Sequence, residues 1–233
     1  MRIMVIAFGD PTRHEIEVRQ KYPQALCSRG TEVEVAPIRE GPDVTDATTL
    51  SLAVPGILKR VNQAARESYD AIMINCFADP GLEAAKTLVN IPVVGGGEPN
   101  YHVASLLADR FGSVTLTKEF IPIMARQAKV YGVADRIVSI RSFDIPVAEF
   151  QQRKEEVEAR FIAQAKEQVN SGAQLIIPAC LATLPALGAG STDRLSQKLG
   201  VMVLDSNATA LKMAEMLVNL GISQSKLAFP RAG

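Results

Sequence analysis

Short apolar runs alternate with amphipathic segments along most of this 233-residue chain, and this alternation constrains the fold more than any other feature. Runs rich in Ile and Val, such as residues 2–8 and 71–75, are typical of buried strands. Residues 52–68 and 151–170 carry apolar side chains at helical spacing, and Pro55 is expected near the start of its helix, where proline is tolerated. Strands that alternate with helices predict a mostly parallel sheet covered on both faces, so the expected fold class is α/β.

One pattern occurs twice along the chain. Residues 70–76 form an apolar run that ends in Cys76 and is followed by a loop, a helix and a second apolar run. Residues 173–180 end in Cys180 and are followed by the same order of elements. The identity between the copies is too low to prove a duplication, but the cysteine has the same place in both. Ligands of open α/β sheets bind outside the carboxyl ends of strands, so both thiols are predicted to face one ligand cleft.

Two thiols at one cleft suggest a definite chemistry. A racemase needs an acid on one face of a carbon and a base on the other, and a thiol and a thiolate can fill these roles. Loop amides and a helix N-terminus would favour the thiolate. The alternative is that Cys76 and Cys180 are inert, because a free cysteine is usually a small buried hydrophobe. Cys27 has no counterpart in the repeated pattern and is therefore predicted to be structural.

Composition excludes several classes of protein. Lys plus Arg and Asp plus Glu both number 25, so the net charge is zero and a nucleic-acid binder is not expected. No apolar run approaches the roughly 18–20 residues of a membrane span. The N-terminal segment is too short for a signal peptide, and three cysteines do not suggest a disulfide framework, so a cytoplasmic location is expected. Two histidines without metal-ligand spacing give no support for a metal site.

Several loops offer candidate contacts to a small-molecule substrate. Glycines 95–97 fit neither the P-loop nor the dinucleotide fingerprint, so Gly97 and Glu98 are predicted to approach a small ligand or simply to begin a helix. Thr115 and Thr117 carry hydroxyls near a strand end, although Thr is also an ordinary strand residue. Asp10 and Asn207 lie in loops that resemble helix N-caps and that also follow strands. The residues after each cysteine complete the candidate set: Phe77, Ala78, Leu181 and Ala182.

The segment DAIMINCFADPGLEAAKTL, residues 70–88, resembles the first cysteine motif of hydantoin and allantoin racemases in the Asp/Glu racemase superfamily. Further matches follow in order at residues 91–107, 113–117, 131–141 and 145–147 and near the C-terminus, so the resemblance covers nearly the whole chain. It implies two similar open α/β domains with mostly parallel sheets and a cleft between them. The domains are expected to comprise residues 1–97 plus 207–233, and residues 98–206.

The same resemblance implies an enzyme without a cofactor, in which Cys76 and Cys180 are the acid and the base. Three loops depart from the family pattern. Residues 8–12 lack the usual Asn-Pro-Asn-Thr-like sequence, residues 179–183 read Ala-Cys-Leu-Ala-Thr in place of Gly-Cys-Ala-Gly-Met, and residues 205–207 read Asp-Ser-Asn where the family often has Asp-Gly. All three loops are expected to line the cleft. Their departures from the family pattern therefore affect the prediction of the substrate more than the prediction of the cysteine pair.

Three functional hypotheses follow. The first is a racemase or epimerase of a small carbonyl compound, a 5-substituted hydantoin or allantoin. The second is a cis–trans isomerase or decarboxylase of a small dicarboxylate, in which one cysteine is the nucleophile or the sole proton donor. The third is a binding protein that has lost the chemistry. The protein is expected to form a homo-oligomer.

Overall fold

The computed structural model describes residues 1–8, 13–38 and 44–230. They divide into two units, Met1–Gly96 with Ala210–Gly233, and Gly97–Thr209. We refer to them as the first and the second unit. Each contains one four-stranded sheet in which every strand pair is parallel. The α/β class and the two similar parallel-sheet halves predicted from the sequence are therefore confirmed.

The first unit begins with an apolar run. The strands of its sheet are β1 (Arg2–Phe8), β2 (Glu32–Ile38), β3 (Ala71–Ile74) and β4 (Val93–Val94). Its described helices include α1 (Arg13–Leu26), α2 (Ala47–Arg66) and α3 (Leu82–Leu88). Strand β1 is buried from its second to its sixth residue, which explains its nearly continuous apolar sequence. Ile6, Ile57 and Ile72 belong to the core cluster between this sheet and α2.

Helix α2 begins five residues before the predicted start, and the prediction for Pro55 was wrong. The Asp46 side chain accepts a hydrogen bond from the Thr49 amide, and the Thr49 hydroxyl accepts one from the Asp46 amide. This reciprocal capping satisfies amides that the first turn would leave without partners, so the helix starts at Ala47. Pro55 consequently lies inside the helix, at its ninth residue.

The second unit repeats this arrangement with different helices. Its strands are β5 (Phe111–Thr115), β6 (Ile137–Ser142), β7 (Leu175–Pro178) and β8 (Met202–Val203). Its helices include α4 (Glu98–Leu107), α5 (Ile121–Val130), α6 (Lys154–Asn170), α7 (Thr183–Leu187) and α8 (Ser191–Leu199), and α9 (Ser206–Asn219) contains the boundary between the units. The Phe143 ring packs against Phe150 and Phe161, with centroid distances of 5.6 and 6.5 Å.

The two sheets have the same topology. The strand orders are β2-β1-β3-β4 and β6-β5-β7-β8. In each sheet the chain runs outward from the first strand and then returns to add the third strand on the other side of the first. The carboxyl ends of β1 and β3, and of β5 and β7, are therefore topological switch points, where open α/β sheets bind ligands.

No helix in the described part of the chain is long and apolar enough to span a membrane.

Candidate active site

Cys76 follows β3 in the first unit, two residues beyond the end of the strand. The amide of Asn75 donates to the Ile6 carbonyl of β1 at 2.9 Å, which holds the chain against the neighbouring strand up to the residue before the cysteine. The Cys76 carbonyl then accepts a hydrogen bond from the Asp79 amide at 3.1 Å, so a tight turn begins at the cysteine. Cys76 is half-buried.

Cys180 has the equivalent place in the second unit, two residues beyond the end of β7. The amide of Ala179 donates to the Val114 carbonyl of β5 at 2.8 Å. The Cys180 carbonyl accepts a hydrogen bond from the Thr183 amide at 3.0 Å. Each cysteine therefore follows a residue that is bonded to the first strand of its sheet, and each begins a turn closed three residues later. The structure places both cysteines at the carboxyl end of a matching strand, as the repeated pattern predicts.

Burial and three hydrogen-bond donors act in opposite directions on Cys180. Its side chain is buried, and this loss of hydration raises the pKa of the thiol above its ordinary value. The Ala182 amide, the Thr183 hydroxyl and the Thr183 amide favour the thiolate and limit the rise. The buried Thr183 hydroxyl makes no other hydrogen bond among the described residues. The resting form of Cys180 at neutral pH is therefore the thiol.

The loop after Cys76 is shaped by a close approach between Asp79 and Gly95. Asp79 adopts a left-handed backbone with φ +50°, which Asp tolerates better than most residues, and its carbonyl accepts a hydrogen bond from the Leu82 amide at 3.2 Å. The Asp79 carboxyl group packs onto the backbone of Gly95, the first residue after β4. The first glycine of the triple-glycine segment therefore makes room for a side chain of the cysteine loop.

We expect Gly95→Ala to destabilise the protein and to disturb the loop after Cys76. The added Cβ would overlap the Asp79 carboxylate, with Asp79 Cγ at 2.5 Å and Leu82 Cδ2 at 2.8 Å. Overpacking of this kind costs roughly 1–3 kcal/mol. Urea denaturation measures the loss, and the double variant Gly95→Ala with Asp79→Gly is the control because it removes the overlapping group. A double variant no more stable than Gly95→Ala alone would contradict this explanation.

The other predicted substrate contacts lie in varied environments. Thr115 ends β5 beside β7, and its hydroxyl is fully buried without a hydrogen-bond partner in the described structure. Thr117 is half-buried and precedes a 3-10 turn at Lys118–Phe120, so it lies beyond the strand. Gly97 is buried, and Glu98 is the half-buried first residue of α4. Asp10 lies outside the described residues.

The remaining predicted substrate contacts are the residues that follow the two cysteines and Asn207. Phe77 and Leu181 are buried, and Ala78 and Ala182 are half-buried. The Asn207 side chain donates from Nδ2 to the Leu181 carbonyl at 2.8 Å, which fixes the loop of Cys180. The predicted N-cap of α9 is observed, because Asp205 Oδ1 accepts hydrogen bonds from the amides of Asn207 and Ala208.

Cys27 lies after α1 in the first unit, in surroundings that keep its thiol protonated. Burial and the nearby Glu215 carboxylate raise the pKa of its thiol to about 11, and the charge of Lys212 opposes them. This environment agrees with the structural role predicted for Cys27. Among residues 1–8, 13–38 and 44–230, no three or more His, Cys, Asp and Glu side chains form a cluster that could hold a metal ion.

Sequence reasoning missed the contributions of Asp79, Thr183 and Ser206. Asp79 and Thr183 occupy the same turn position, three residues after a cysteine, and each donates its amide to that cysteine's carbonyl. Ser206 donates its hydroxyl to the Pro178 carbonyl at 2.8 Å. The roles of Asp79 and Thr183 could have been predicted, because both lie three residues after a cysteine. No local sequence pattern indicates the hydrogen-bond partner of Ser206.

Comparison with known proteins identifies relatives along almost the whole chain. Residues 17–214 match the family model described as Asp/Glu/Hydantoin racemase. A hydantoin racemase of Paenarthrobacter aurescens is 32% identical over 232 residues, covering 97% of this chain and 94% of the relative. A hydantoin racemase of Pseudomonas sp. (strain NS671) is 32% identical over 177 residues, 76% of this chain and 69% of the relative.

Solved structures agree with these sequence matches. The allantoin racemase from Klebsiella pneumoniae superposes with a TM-score of 0.88 at 28% identity, covering 100% of this chain and 94% of that one. A maleate isomerase from Pseudomonas putida S16 has a TM-score of 0.65 at 13% identity, covering 95% and 92%, and shares the fold alone. The family match, the curated relatives and the repeated cysteine loops lead to one conclusion: the chain is a racemase, and hence an isomerase, of the Asp/Glu/hydantoin racemase family.

Proposed function

We propose that Cys76 and Cys180 are the acid and the base of this racemase and that its substrate is a 5-substituted hydantoin or allantoin. One observation carries the cysteine assignment. Each thiol stands at the carboxyl end of the third strand of a four-stranded parallel sheet, and each begins a turn closed by the amide three residues later. A reaction that exchanges protons on two faces of one carbon requires two such groups.

The proposed reaction inverts one stereocentre next to a carbonyl. One cysteine, as thiolate, removes the proton, and the carbonyl holds the electron pair as an enolate. The other cysteine, as thiol, delivers a proton to the opposite face, so no atom is gained or lost overall. No cofactor is required. The raised pKa of the Cys180 thiol favours its protonated form, which suits it to the role of the acid. In the reverse direction, Thr183 and the Ala182 amide support the Cys180 thiolate.

The substrate assignment rests on the relatives' names and on the polar groups near the switch points. A hydantoin ring offers carbonyl and N–H edges, for which hydroxyls and loop amides are suitable partners. We propose that Thr115, Thr117, Gly97 and Glu98 contact this ring, together with Asp10, Asn207 and the residues after each cysteine: Phe77, Ala78, Leu181 and Ala182. The buried Thr115 hydroxyl, which has no partner in the described structure, supports this assignment best.

Exchange of substrate hydrogen with solvent deuterium tests the proposal. Single enantiomers of 5-substituted hydantoins, of allantoin and of amino acids are incubated in D₂O and followed by NMR and polarimetry. Maleate-like diacids, which are achiral, are followed by NMR alone. The expected result is loss of optical rotation with incorporation of deuterium at the stereocentre of a hydantoin or allantoin. Racemisation confined to amino acids would contradict the substrate assignment. Alkene isomerisation or release of CO₂ would instead favour a one-cysteine isomerase or decarboxylase.

We also propose a cytoplasmic homo-oligomer whose folding domains comprise residues 1–97 with 207–233, and residues 98–206. Light scattering of the purified protein at several concentrations tests the oligomer, and a monomer throughout that range would contradict it.

A further inference from the structure

In the second unit, two segments that depart from the family motifs are bonded to each other: the loop of Cys180 and the start of α9. The Ser206 hydroxyl donates to the Pro178 carbonyl at 2.8 Å, and Asn207 Nδ2 donates to the Leu181 carbonyl at 2.8 Å. These carbonyls lie two residues before Cys180 and one residue after it. The two side chains therefore hold the backbone on both sides of the thiol. We refer to Ser206 and Asn207 as the clamp.

The clamp is buried and is itself fixed in place. Ser206 is 1% exposed and Asn207 5% exposed, so a lost bond would leave a buried carbonyl without compensation from water. Asn100 of α4, also fully buried, donates from Nδ2 to the Ser206 carbonyl at 2.9 Å. The Asp205 carboxylate holds the amide of Asn207 at 3.0 Å. The clamp therefore connects the loop of Cys180 to both α4 and the start of α9.

We propose that Ser206 and Asn207 are positioning residues that hold the loop of Cys180 in its reactive place. The proposal rests on the proposed role of Cys180 as acid and base. It gives the Asn207 side chain a hydrogen bond to the protein backbone in addition to its proposed contact with substrate. Proton transfer depends steeply on geometry, and a displacement of about 1 Å can cost a factor of 10² in rate. Two donors on two flanking carbonyls restrict such a displacement without touching the reacting atoms.

Asn207→Asp is the sharpest test because it keeps the size of the side chain and removes its donor. A carboxylate oxygen would then face the Leu181 carbonyl oxygen, and the two would repel each other. We expect kcat to fall roughly 10- to 100-fold with KM changed less than about threefold. In a Cys27→Ser background, the buried Cys180 should also react severalfold faster with iodoacetamide, because the loosened loop exposes it, while Cys76 reacts at its original rate.

Ser206 supplies a matched pair of variants. Ser206→Ala loses the hydroxyl and should show the same two changes to a smaller extent. Ser206→Thr keeps the hydroxyl and should retain the original kcat and the original alkylation rate. Melting temperatures measured alongside identify any variant that has lost its fold, and the Ser206 pair then decides the question in place of Asn207→Asp.

Two results separate the possible failures. A rise in KM with unchanged kcat and unchanged alkylation of Cys180 would show that Asn207 serves substrate binding alone, which overturns the positioning role. Cys180→Ser is measured as a reference for the chemistry. If that variant racemises substrate at the full rate, the proposed function fails, while the alkylation rates still test whether the clamp holds the loop.

Discussion

Replacing either Cys76 or Cys180 by Ser is expected to abolish racemisation, with a loss of at least roughly 10²–10⁴-fold. A serine hydroxyl is too weak an acid to ionise at neutral pH, so it can replace neither the thiolate that removes the proton nor the thiol that returns one, which is a much stronger acid than an alcohol. The two replacements should be equally damaging to racemisation, because inversion needs both faces of the carbon. Racemisation followed by polarimetry measures the loss, and Cys27→Ser is the matched control expected to retain activity.

Exchange without inversion distinguishes the roles of the two thiols. Each single variant keeps one thiol, and that thiol can remove a proton and return a deuteron on its own face. We therefore expect Cys76→Ser to exchange hydrogen in one enantiomer and Cys180→Ser to exchange it in the other. NMR of each enantiomer in D₂O measures this, and the double variant should exchange neither.

Racemisation at the full rate by the Cys180→Ser protein would contradict the assignment of Cys180 as a base or acid. Such a result would favour chemistry with a single cysteine. Cys76 lies in a segment that matches the family pattern, whereas the residues after Cys180 differ from that pattern. The Cys180 variant therefore tests the less well supported half of the cysteine assignment.

The fold could be predicted because its signals are local. Apolar runs such as Arg2–Phe8 are buried on both faces of a parallel sheet and therefore lack polar alternation. The repeated position of Cys76 and Cys180 was visible because a strand followed by a turn and a helix leaves the same order of residue types in both copies. Helix bounds were less well predicted, because the Asp46–Thr49 capping box outweighs the proline that follows it.

The environment of the site could not be predicted in the same way, because it depends on contacts between distant segments. The bond from Asn207 to Leu181 spans 26 residues, and the bond from Asn100 to Ser206 spans 106. A sequence shows which groups can donate and accept, but only the folded chain decides which of them meet. The sequence predicted that a helix opens at residues 205–207, as observed, while the hydrogen bond from Asn207 to the loop of Cys180 had no local signature.

Loss of Glu215 should lower the stability of the first unit. Glu215 lies on α9, is 3% exposed, and its carboxylate accepts hydrogen bonds from the amide and hydroxyl of Ser28 at 2.7 and 2.9 Å. Lys212 donates to the same carboxylate at 2.8 Å. Burial alone would raise the pKa of Glu215, but bonds from Lys212, Thr31 and Ser28 outweigh it and lower the pKa from 4.5 to about 2.

Glu215→Gln is expected to lower the free energy of unfolding by roughly 2–3 kcal/mol at pH 7, following the depressed pKa. The folded-state pKa lies below the unfolded-state value, so this stabilisation is fully present above pH 4.5 and is lost as the pH falls toward 2. The stability difference between the original protein and the variant should therefore shrink across that window. Urea denaturation at a series of pH values between 7 and 2.5 measures it.

Glu167→Gln is the matched control, because Glu167 is exposed on α6 and its replacement should leave stability within about 0.5 kcal/mol at every pH. Glu215→Ala should cost more than Glu215→Gln, roughly 3–5 kcal/mol, because it also leaves a cavity and removes the acceptor of the Ser28 amide and the carboxylate partner of the Lys212 ammonium. The stability difference between the original protein and Glu215→Gln could instead stay constant from pH 7 to 2.5. That result would show that the packing of the Glu215 side chain, and not its charge, holds α9 against the segment after α1.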